Sequence, residues 1–311
     1  MTTPMQLRWG TGFVPSPKDP RDRSLGDPRI RQVLEGAKLY KAFTGKPTLP
    51  RAVDLRPWCP AVVFQGKYNT CAAHVVAELL EYFERRAFGH EVTASRLFLY
   101  KVAKNFLGQT GDPGVYIRQV MGVLRILGAP PEKYWPYPDP GTIDDPKSGD
   151  PVIDAEPSAF CYALAQGYRA VSYYRLDDGS DRVKRPTDLL ALLKAHLAGG
   201  LPVTLGFPLY PSLAAAETNG KIPFPAPSEK ELGSHAVVAA GYDDRITVKN
   251  TAKDGRTTRG ALLILNTWST GWGEQGCGWL PYAYVTRGLA RDLWTLLRAE
   301  WVTTGKFQLE L

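Results

Sequence analysis

Cysteine is scarce in this chain, which has only four in 311 residues, all widely spaced. So few scattered cysteines exclude the disulfide framework of a small secreted protein. An isolated cysteine is most often a small buried hydrophobic side chain, and we expect this of Cys59, Cys161 and Cys277. Cys71 is a separate case because of the residues that surround it.

Long apolar runs are missing as well. No stretch approaches the roughly 18–20 consecutive apolar residues of a membrane-spanning helix. The first ten residues also lack the apolar centre of a signal peptide. We therefore predict a soluble, cytoplasmic protein with no membrane partner.

The positive charge is not concentrated in any part of the chain. The formal net charge is +7, but no run of five like charges occurs, and this is typical of a solvated surface rather than of a nucleic-acid-binding face. Cys71 and His74 form one Cys-x-x-His pair, and no second pair lies at ligand spacing. We predict no nucleic-acid partner, no metal and no cofactor, and a structural or surface role for His74.

Helical patterns dominate the first half of the chain and strand patterns the second half. Apolar residues recur at helical spacing over 30–43, 71–88, 95–106 and 115–127, and again over 187–197 and in an amphipathic stretch at 287–301. Strand-like runs lie at 168–174, 202–207, 236–242, 246–249 and 260–268. This order predicts an α+β fold with a helical part at about 65–150 and a β-rich part at about 160–285.

Residues 1–50 differ in texture from the rest. They are rich in Pro, Arg, Lys and Asp and have no convincing core of their own. A boundary falls near Leu49-Pro50, so we predict an N-terminal segment at 1–50 and a compact domain at 51–311. The segment is either a flexible lead-in or an ordered piece lying on the folded body.

Cys71 begins the helical pattern at 71–88, where Asn69 or Thr70 can cap the helix. The free N–H groups and the dipole of a helix N-terminus favour a negative charge at this position. A cysteine attacks only as the thiolate, which is scarce near neutral pH at the free pKa of about 8.5. Peptide hydrolysis by Cys71 would therefore also need a nearby base.

Two later segments offer a base and a group to orient it. His235 opens an apolar strand directly after a polar loop, and Asn266 ends an aliphatic strand just before Trp268. An asparagine side chain can accept an imidazole N–H and fix the ring, and a neighbouring tryptophan would screen that bond from water. These residues favour a Cys–His–Asn site.

Three segments, in this order, resemble the active-site signatures of papain-family cysteine peptidases. They are Gln65-Gly66 followed by Cys71, Ser234-His235-Ala236-Val237, and Asn266-Thr267-Trp268-Ser269-x-Gly271-Trp272-Gly273. Val53-Asp54-Leu55-Arg56 also resembles the start of the mature family enzymes, so the likeness covers about residues 53–279. The family's Cys–His pair is a standard example of an activated thiol, and the segment around its cysteine is a standard sequence signature.

The resemblance implies a papain-like fold with a helical left subdomain, an antiparallel β-barrel-like right subdomain and an active-site cleft between them. It implies that Cys71 and His235 form a thiolate–imidazolium pair, that Asn266 orients the ring, and that Gln65 donates to the oxyanion. Trp268 and Ser234 would support the site or contact a peptide or protein substrate. Residues 1–50 would restrain access to the cleft, as in a zymogen.

The surroundings of Cys71 depart from the family pattern. Tyr68-Asn69-Thr70-Cys71-Ala72 replaces the usual Cys-Gly-Ser-Cys-Trp, which removes a disulfide and an aromatic ring but no catalytic group. This divergence, like the opening Gly12-Phe13-x-Pro15, resembles the bacterial branch of the family. Two alternatives stay open: a catalytically silent binding protein of the same fold, and an amidase, acyl-transfer or trimming enzyme whose cleft is partly closed by residues 208–232.

Overall fold

The helices lie mainly in the first half of the chain and the strands mainly in the second, which confirms the predicted α+β organisation. The computed structural model describes residues 10–142, 151–168, 172–179 and 183–309. The helices are α1 (Pro28–Gly36), α2 (Tyr40–Thr44), α3 (Cys71–Phe88), α4 (Arg96–Leu107), α5 (Ile117–Ile126), α6 (Pro151–Asp154), α7 (Ala159–Ala165), α8 (Pro186–Ala198), α9 (Tyr282–Thr286) and α10 (Ala299–Val302). The strands are β1 (Phe13–Val14), β2 (Ala52–Asp54), β3 (Val115–Tyr116), β4 (Ser172–Arg175), β5 (Val203–Leu209), β6 (Gly233–Lys249), β7 (Thr257–Leu265), β8 (Cys277–Pro281) and β9 (Arg291–Leu297).

Helix α3 joins the helical part to the β-rich part. Its bounds are those predicted from the apolar spacing, and Gly89 ends it with a left-handed φ of 82° while donating its N–H to the Arg85 carbonyl. The helix packs against α4 and α5 and also against β6. Its first residue, Cys71, therefore lies at the junction of the two parts.

The large sheet brings two distant segments to one edge. Its strand order is β4-β9-β5-β6-β7-β8, with β2 also paired to β6. In the antiparallel β6–β7 pair, Val238 lies opposite Leu265. The start of β6 and the end of β7 are therefore adjacent, which places His235 beside Asn266. The predicted strands at 236–242 and 246–249 belong to this single strand β6, with an irregular register between them.

The helix predicted over 287–301 is wrong. Residues 291–297 instead form β9, which lies between β4 and β5 in the sheet. The leucine spacing fits a helix, but Leu293, Trp294 and Leu296 are all fully buried, as expected of a strand covered on both faces. Among the described residues after β9, the short α10 is the one remaining helix.

Two other predicted helices are interrupted. The pattern at 30–43 forms α1 and α2, and the pattern at 115–127 begins as β3 before it continues as α5. Strand β3 exists because it pairs with β1, a contact between distant residues that a local pattern cannot contain. Part of the strand predicted at 168–174, residues 169–171, lies outside the described residues. Among the residues that the structure describes, no helix combines the length and apolarity needed to cross a membrane.

The described part of the N-terminal segment lies on the folded body. Helices α1 and α2 bury Ile30, Leu34 and Phe43 in the common core. They pack against α10 and α8 respectively. Residues 10–50 are therefore an ordered part of the fold.

Candidate active site

Cys71 is the first residue of α3 and is fully buried. The predicted side-chain cap of this helix is absent. The Thr70 hydroxyl lies 2.7 Å from the Tyr137 hydroxyl, and the Asn69 Oδ1 accepts the Thr11 N–H at 3.1 Å. Neither side chain competes for the first N–H groups of α3, whose dipole favours a negative charge at the thiol.

Asn266 holds the His235 ring and determines which nitrogen carries the proton. The Nε2 of His235 lies 2.8 Å from Asn266 Oδ1, and the same oxygen accepts the Thr267 backbone N–H at 2.8 Å. Because an amide oxygen can only accept, Nε2 must be the protonated nitrogen. The Nδ1 of His235 then carries the lone pair, and among the described residues it has no hydrogen-bond partner. This nitrogen can accept a proton from a thiol.

Trp268 covers the histidine ring. The two rings stack with centroids 4.3 Å apart and an interplanar angle of 24°. Trp272 meets Trp268 edge-on at 5.7 Å, and both tryptophans are almost completely buried. The bond between His235 and Asn266 is thus shielded from water, which strengthens it.

The Gln65 side chain is held on both sides of its amide and is fully buried. Its Nε2 donates to the Tyr68 carbonyl at 2.7 Å and to the Gly10 carbonyl at 3.0 Å. Its Oε1 accepts the hydroxyl of Thr267. The amide nitrogen therefore lies between Tyr68 and the N-terminal segment, and the oxygen faces the loop that carries Asn266.

The N-terminal residues pass directly through this site, and we call residues 10–16 the strap. The Gly10 N–H donates to the Gly66 carbonyl at 3.0 Å, and the Thr11 carbonyl accepts the Cys71 thiol. The β1 residues of the strap then pair in parallel with β3. At its far end, the Ser16 N–H donates to Asp292 at 2.5 Å.

Two glycines allow the strap to approach this closely. A Cβ on Gly12 would lie 2.2 Å from the Asn69 carbonyl oxygen, and Gly12 has a left-handed φ of +67°. A Cβ on Gly206 of β5 would lie 2.1–2.4 Å from the ring carbons of Phe13. The Phe13 ring, only 7% exposed, fills the space that the absent side chain leaves.

The buried site holds Cys71 and His235 in their neutral forms. Burial raises the pKa of the Cys71 thiol to about 12, although the backbone N–H groups of Ala236 and Ala72 favour the thiolate. Burial also lowers the pKa of the His235 ring to about 4, although Asn266 and the backbone of Thr11 favour its charged form. The thiolate–imidazolium pair therefore stays a prediction, and it concerns the state in which the strap has left the site.

The structure thus brings together five of the predicted residues, namely Gln65, Cys71, His235, Asn266 and Trp268. Ser234 lies at the start of the same strand as His235, where its hydroxyl donates to Glu231 at 3.2 Å. Residues 208–232 pack on β8, where the Ile222 N–H donates to the Trp279 carbonyl at 3.0 Å, and on the loop after Asn266, where the Gly273 N–H donates to the Glu217 carbonyl at 2.8 Å.

His74 lies three residues after Cys71 on α3 and is fully buried. Its Nδ1 lies 3.1 Å from the Thr70 carbonyl, and burial lowers the pKa of its ring to about 3. Within the described residues, no three His, Cys, Asp or Glu side chains are arranged to hold a metal ion. The four cysteines are all buried and carry free thiols.

Two residues beside the site were missed by the sequence analysis. Thr267 contacts both Gln65 and Asn266. The Tyr137 hydroxyl donates to the Gln65 carbonyl at 2.9 Å and contacts Thr70. The position of Thr267 directly after Asn266 could have drawn attention to it, but Tyr137 lies in a loop without any such signal.

Comparisons with known proteins find relatives of this chain and structures of similar fold. No protein-family profile matches the chain. An uncharacterized peptidase C1-like protein of Acanthamoeba polyphaga mimivirus is 26% identical over 257 residues, which span 80% of this chain and 71% of the viral protein. Xylellain, a cysteine protease from Xylella fastidiosa, is 30% identical with a TM-score of 0.70, and the match covers 95% of this chain and 100% of xylellain. Digestive procathepsin L 3 of Tenebrio molitor, at 16% identity and a TM-score of 0.59 over 82% of this chain and 72% of that one, shows likeness of fold alone.

Proposed function

Because this chain belongs to the papain-like cysteine peptidase family, in its bacterial branch, we propose that it hydrolyses peptide bonds with Cys71 as nucleophile and His235 as base. The observation that carries the proposal is the tautomer of His235. Its Nε2 is fixed on Asn266 at 2.8 Å, and its Nδ1 has no partner in the described part of the chain. A base that is oriented on one nitrogen and free on the other is the arrangement that activates a cysteine.

The chemical steps use groups already described. His235 takes the Cys71 proton, and the thiolate sulfur attacks the carbonyl carbon of the substrate peptide. The Nε2 of Gln65 and the Cys71 backbone N–H stabilise the negative charge on the carbonyl oxygen. His235 then gives its proton to the leaving amine, which leaves a thioester on Cys71. Attack by water on that thioester, again with His235 as base, releases the acid and restores the thiol.

We further propose that residues 1–50 form a propeptide-like segment and residues 51–311 the peptidase domain. The strap blocks catalysis because it uses the groups that a substrate would need. The Gln65 amide donates a hydrogen bond to the Gly10 carbonyl, whereas the Cys71 thiol donates one to the Thr11 carbonyl.

No carbonyl of the strap receives both groups. A peptide is cleaved only when the sulfur and the oxyanion donor converge on the same carbonyl group. This arrangement supports an inhibitory role for the strap and argues against its cleavage as a substrate. The neutral state of the buried Cys71–His235 pair agrees with this role.

The experiment that tests this function is covalent labelling of Cys71 with a peptidyl epoxide, together with peptide hydrolysis, in the full-length chain with Phe13→Ala to loosen the strap and in the same chain with Cys71→Ala added. We expect labelling at Cys71 alone, and loss of hydrolysis in the variant. Hydrolysis that survives Cys71→Ala would refute the mechanism. A folded protein that shows neither labelling nor hydrolysis after the strap is loosened would indicate the silent binding protein instead.

A further inference from the structure

One buried residue contacts both amide side chains of the proposed site. The backbone N–H of Thr267 donates to Asn266 Oδ1 at 2.8 Å, and its hydroxyl donates to Gln65 Oε1. Its carbonyl also accepts the Gln65 backbone N–H at 2.9 Å. We propose that Thr267 is a positioning residue that sets the orientation of both amides. This inference rests on the roles proposed above for Gln65 and Asn266.

The hydroxyl contact determines where the Gln65 N–H groups point. An amide that turns over exchanges its oxygen and its nitrogen, and only one of the two orientations presents Nε2 to a substrate. The Tyr68 carbonyl accepts Nε2 on one side at 2.7 Å, and the Thr267 hydroxyl donates to Oε1 on the other. Together the two contacts hold the amide plane.

Without the Thr267 hydroxyl, the Gln65 oxygen would lose this partner in a site that is fully buried. A buried polar atom without a partner is costly, so the amide would rotate to find one. That rotation would move Nε2 away from the position of the oxyanion. The expected effect is on the transition state rather than on substrate binding.

The contact to Asn266 comes from the backbone and survives substitution of the Thr267 side chain. A change at Thr267 should therefore weaken the oxyanion donor but leave the His235–Asn266 bond intact. This difference separates a positioning role from a general structural role. A structural defect would disturb both functions of the site.

The experiment compares Thr267→Val, which keeps the side-chain shape, with Thr267→Ser, which keeps the hydroxyl. All proteins are full-length and carry Phe13→Ala to loosen the strap, and rates are expressed per titrated Cys71. We expect Thr267→Val to lower kcat about tenfold with KM changed by less than about twofold. We expect Thr267→Ser to retain most of kcat. If the valine variant does not fold, Thr267→Ala and Thr267→Ser give the same comparison.

Two further measurements show whether the loss of kcat in Thr267→Val acts through Gln65. The pH dependence of Cys71 alkylation should be the same in Thr267→Val as in the parent. Thr267→Val added to Gln65→Ala should lower kcat no further than Gln65→Ala alone. Thr295→Val is the matched control, since its buried hydroxyl donates to the Pro202 carbonyl at 2.8 Å, outside the site, and its loss should leave kcat unchanged.

The outcomes separate this inference from the proposed function. If Gln65→Ala lowers kcat but Thr267→Val does not, or if the two losses multiply, the positioning role of Thr267 is refuted and the mechanism stands. If Gln65→Ala itself leaves kcat unchanged, the oxyanion role of Gln65 is refuted and the inference falls with it. A shifted alkylation profile in Thr267→Val would show a structural role and would also refute it.

Discussion

The Nε2 of Gln65 lies 3.0 Å from the carbonyl oxygen of Gly10. The donor proposed for the substrate oxyanion is therefore occupied by the chain itself. The neighbouring contact, from the Cys71 thiol to Thr11, occupies the nucleophile in the same way. Any change that lifts the strap should free both groups together, and access to Cys71 is the simplest measure of that change.

Substitution of Gly12 should lift the strap. In Gly12→Ala the new Cβ would lie 2.2 Å from the Asn69 carbonyl oxygen, on a residue with a φ of +67°. We expect alkylation of Cys71 near neutral pH to become at least about tenfold faster. Water would reach the thiol, and a larger fraction of it would ionise to the thiolate. Mass spectrometry of the alkylated chain measures the rate. Gly36→Ala is the control, since nothing lies within 4 Å of its Cβ, and equal rates in the two variants would contradict the prediction.

Substitution of Gly206 should release the strap from the other side. A valine there would collide with the Phe13 ring, whose carbons lie 2.1–2.4 Å from the Cβ position. We expect Gly206→Val to speed Cys71 alkylation about as much as Phe13→Ala does. Since both changes remove the same contact, the double variant should be little faster than either single one. Rates that multiply in the double variant would show that Phe13 and Gly206 act separately.

The closed strap should be most stable near neutral pH. Burial lowers the pKa of His235 to about 4 and raises that of Cys71 to about 12. In an open state where the two groups titrate separately, His235 would gain a proton below its usual pKa of about 6.5, and Cys71 would lose one above about 8.5. The open state therefore binds more protons in acid and fewer in base, and the closed state loses stability on both sides of this window.

Hydrogen exchange of the amides of residues 10–16, corrected for intrinsic rates, measures this pH dependence. Protection should be highest between about pH 6.5 and 8.5 and should fall toward about pH 5. Amides in the middle of α3 serve as the internal control. Protection that stays constant toward about pH 5 would contradict this prediction, and it would mean that the open state holds the thiolate–imidazolium pair, which binds as many protons as the closed neutral pair.

Glu78 should make the folded protein less stable as pH rises. It is 2% exposed, and neither carboxylate oxygen has a partner within the described residues. Burial raises its pKa to about 8. Between the unfolded pKa of about 4.5 and this value, the folded state binds one proton more than the unfolded state. Stability therefore falls in that window, by up to about 1.4 kcal/mol per pH unit.

Glu78→Gln keeps the shape of the neutral acid and removes its ionisation. We expect the Tm of the variant to match that of the parent near about pH 4.5 and to exceed it near about pH 8. Thermal unfolding followed by circular dichroism measures both. Glu35→Gln, at an exposed position of α1, is the control. Parallel curves of Tm against pH for the parent and Glu78→Gln would refute the prediction.

The parts of the fold that the sequence predicts are those encoded locally. Helix α3 follows from its apolar spacing and from Gly89, and both lie within the helix or directly after it. The leucines of β9 show the limit of this reasoning. Their spacing suits a helix, and only the neighbouring strands β4 and β5 decide the outcome.

The catalytic candidates could be found because they lie in short segments with a recognisable order. The path of the strap could not, because it depends on pairings between distant residues, such as Phe13 with Val115. The contact between Thr267 and Gln65 spans 202 residues and has no local signature. Long-range hydrogen bonds therefore separate what the sequence predicts from what only the structure shows.

The strap is anchored a few residues beyond its end. Asp22 accepts from Arg118 of α5 at 3.3 Å and from Arg175 of β4 at 3.0 Å, and helices α1 and α2 are part of the core. A short tether of this kind holds a released strap at an effective concentration on the order of millimolar. Dilution of the protein would leave the proposed inhibition by the strap unchanged, and a peptide substrate would have to compete with a ligand that cannot diffuse away.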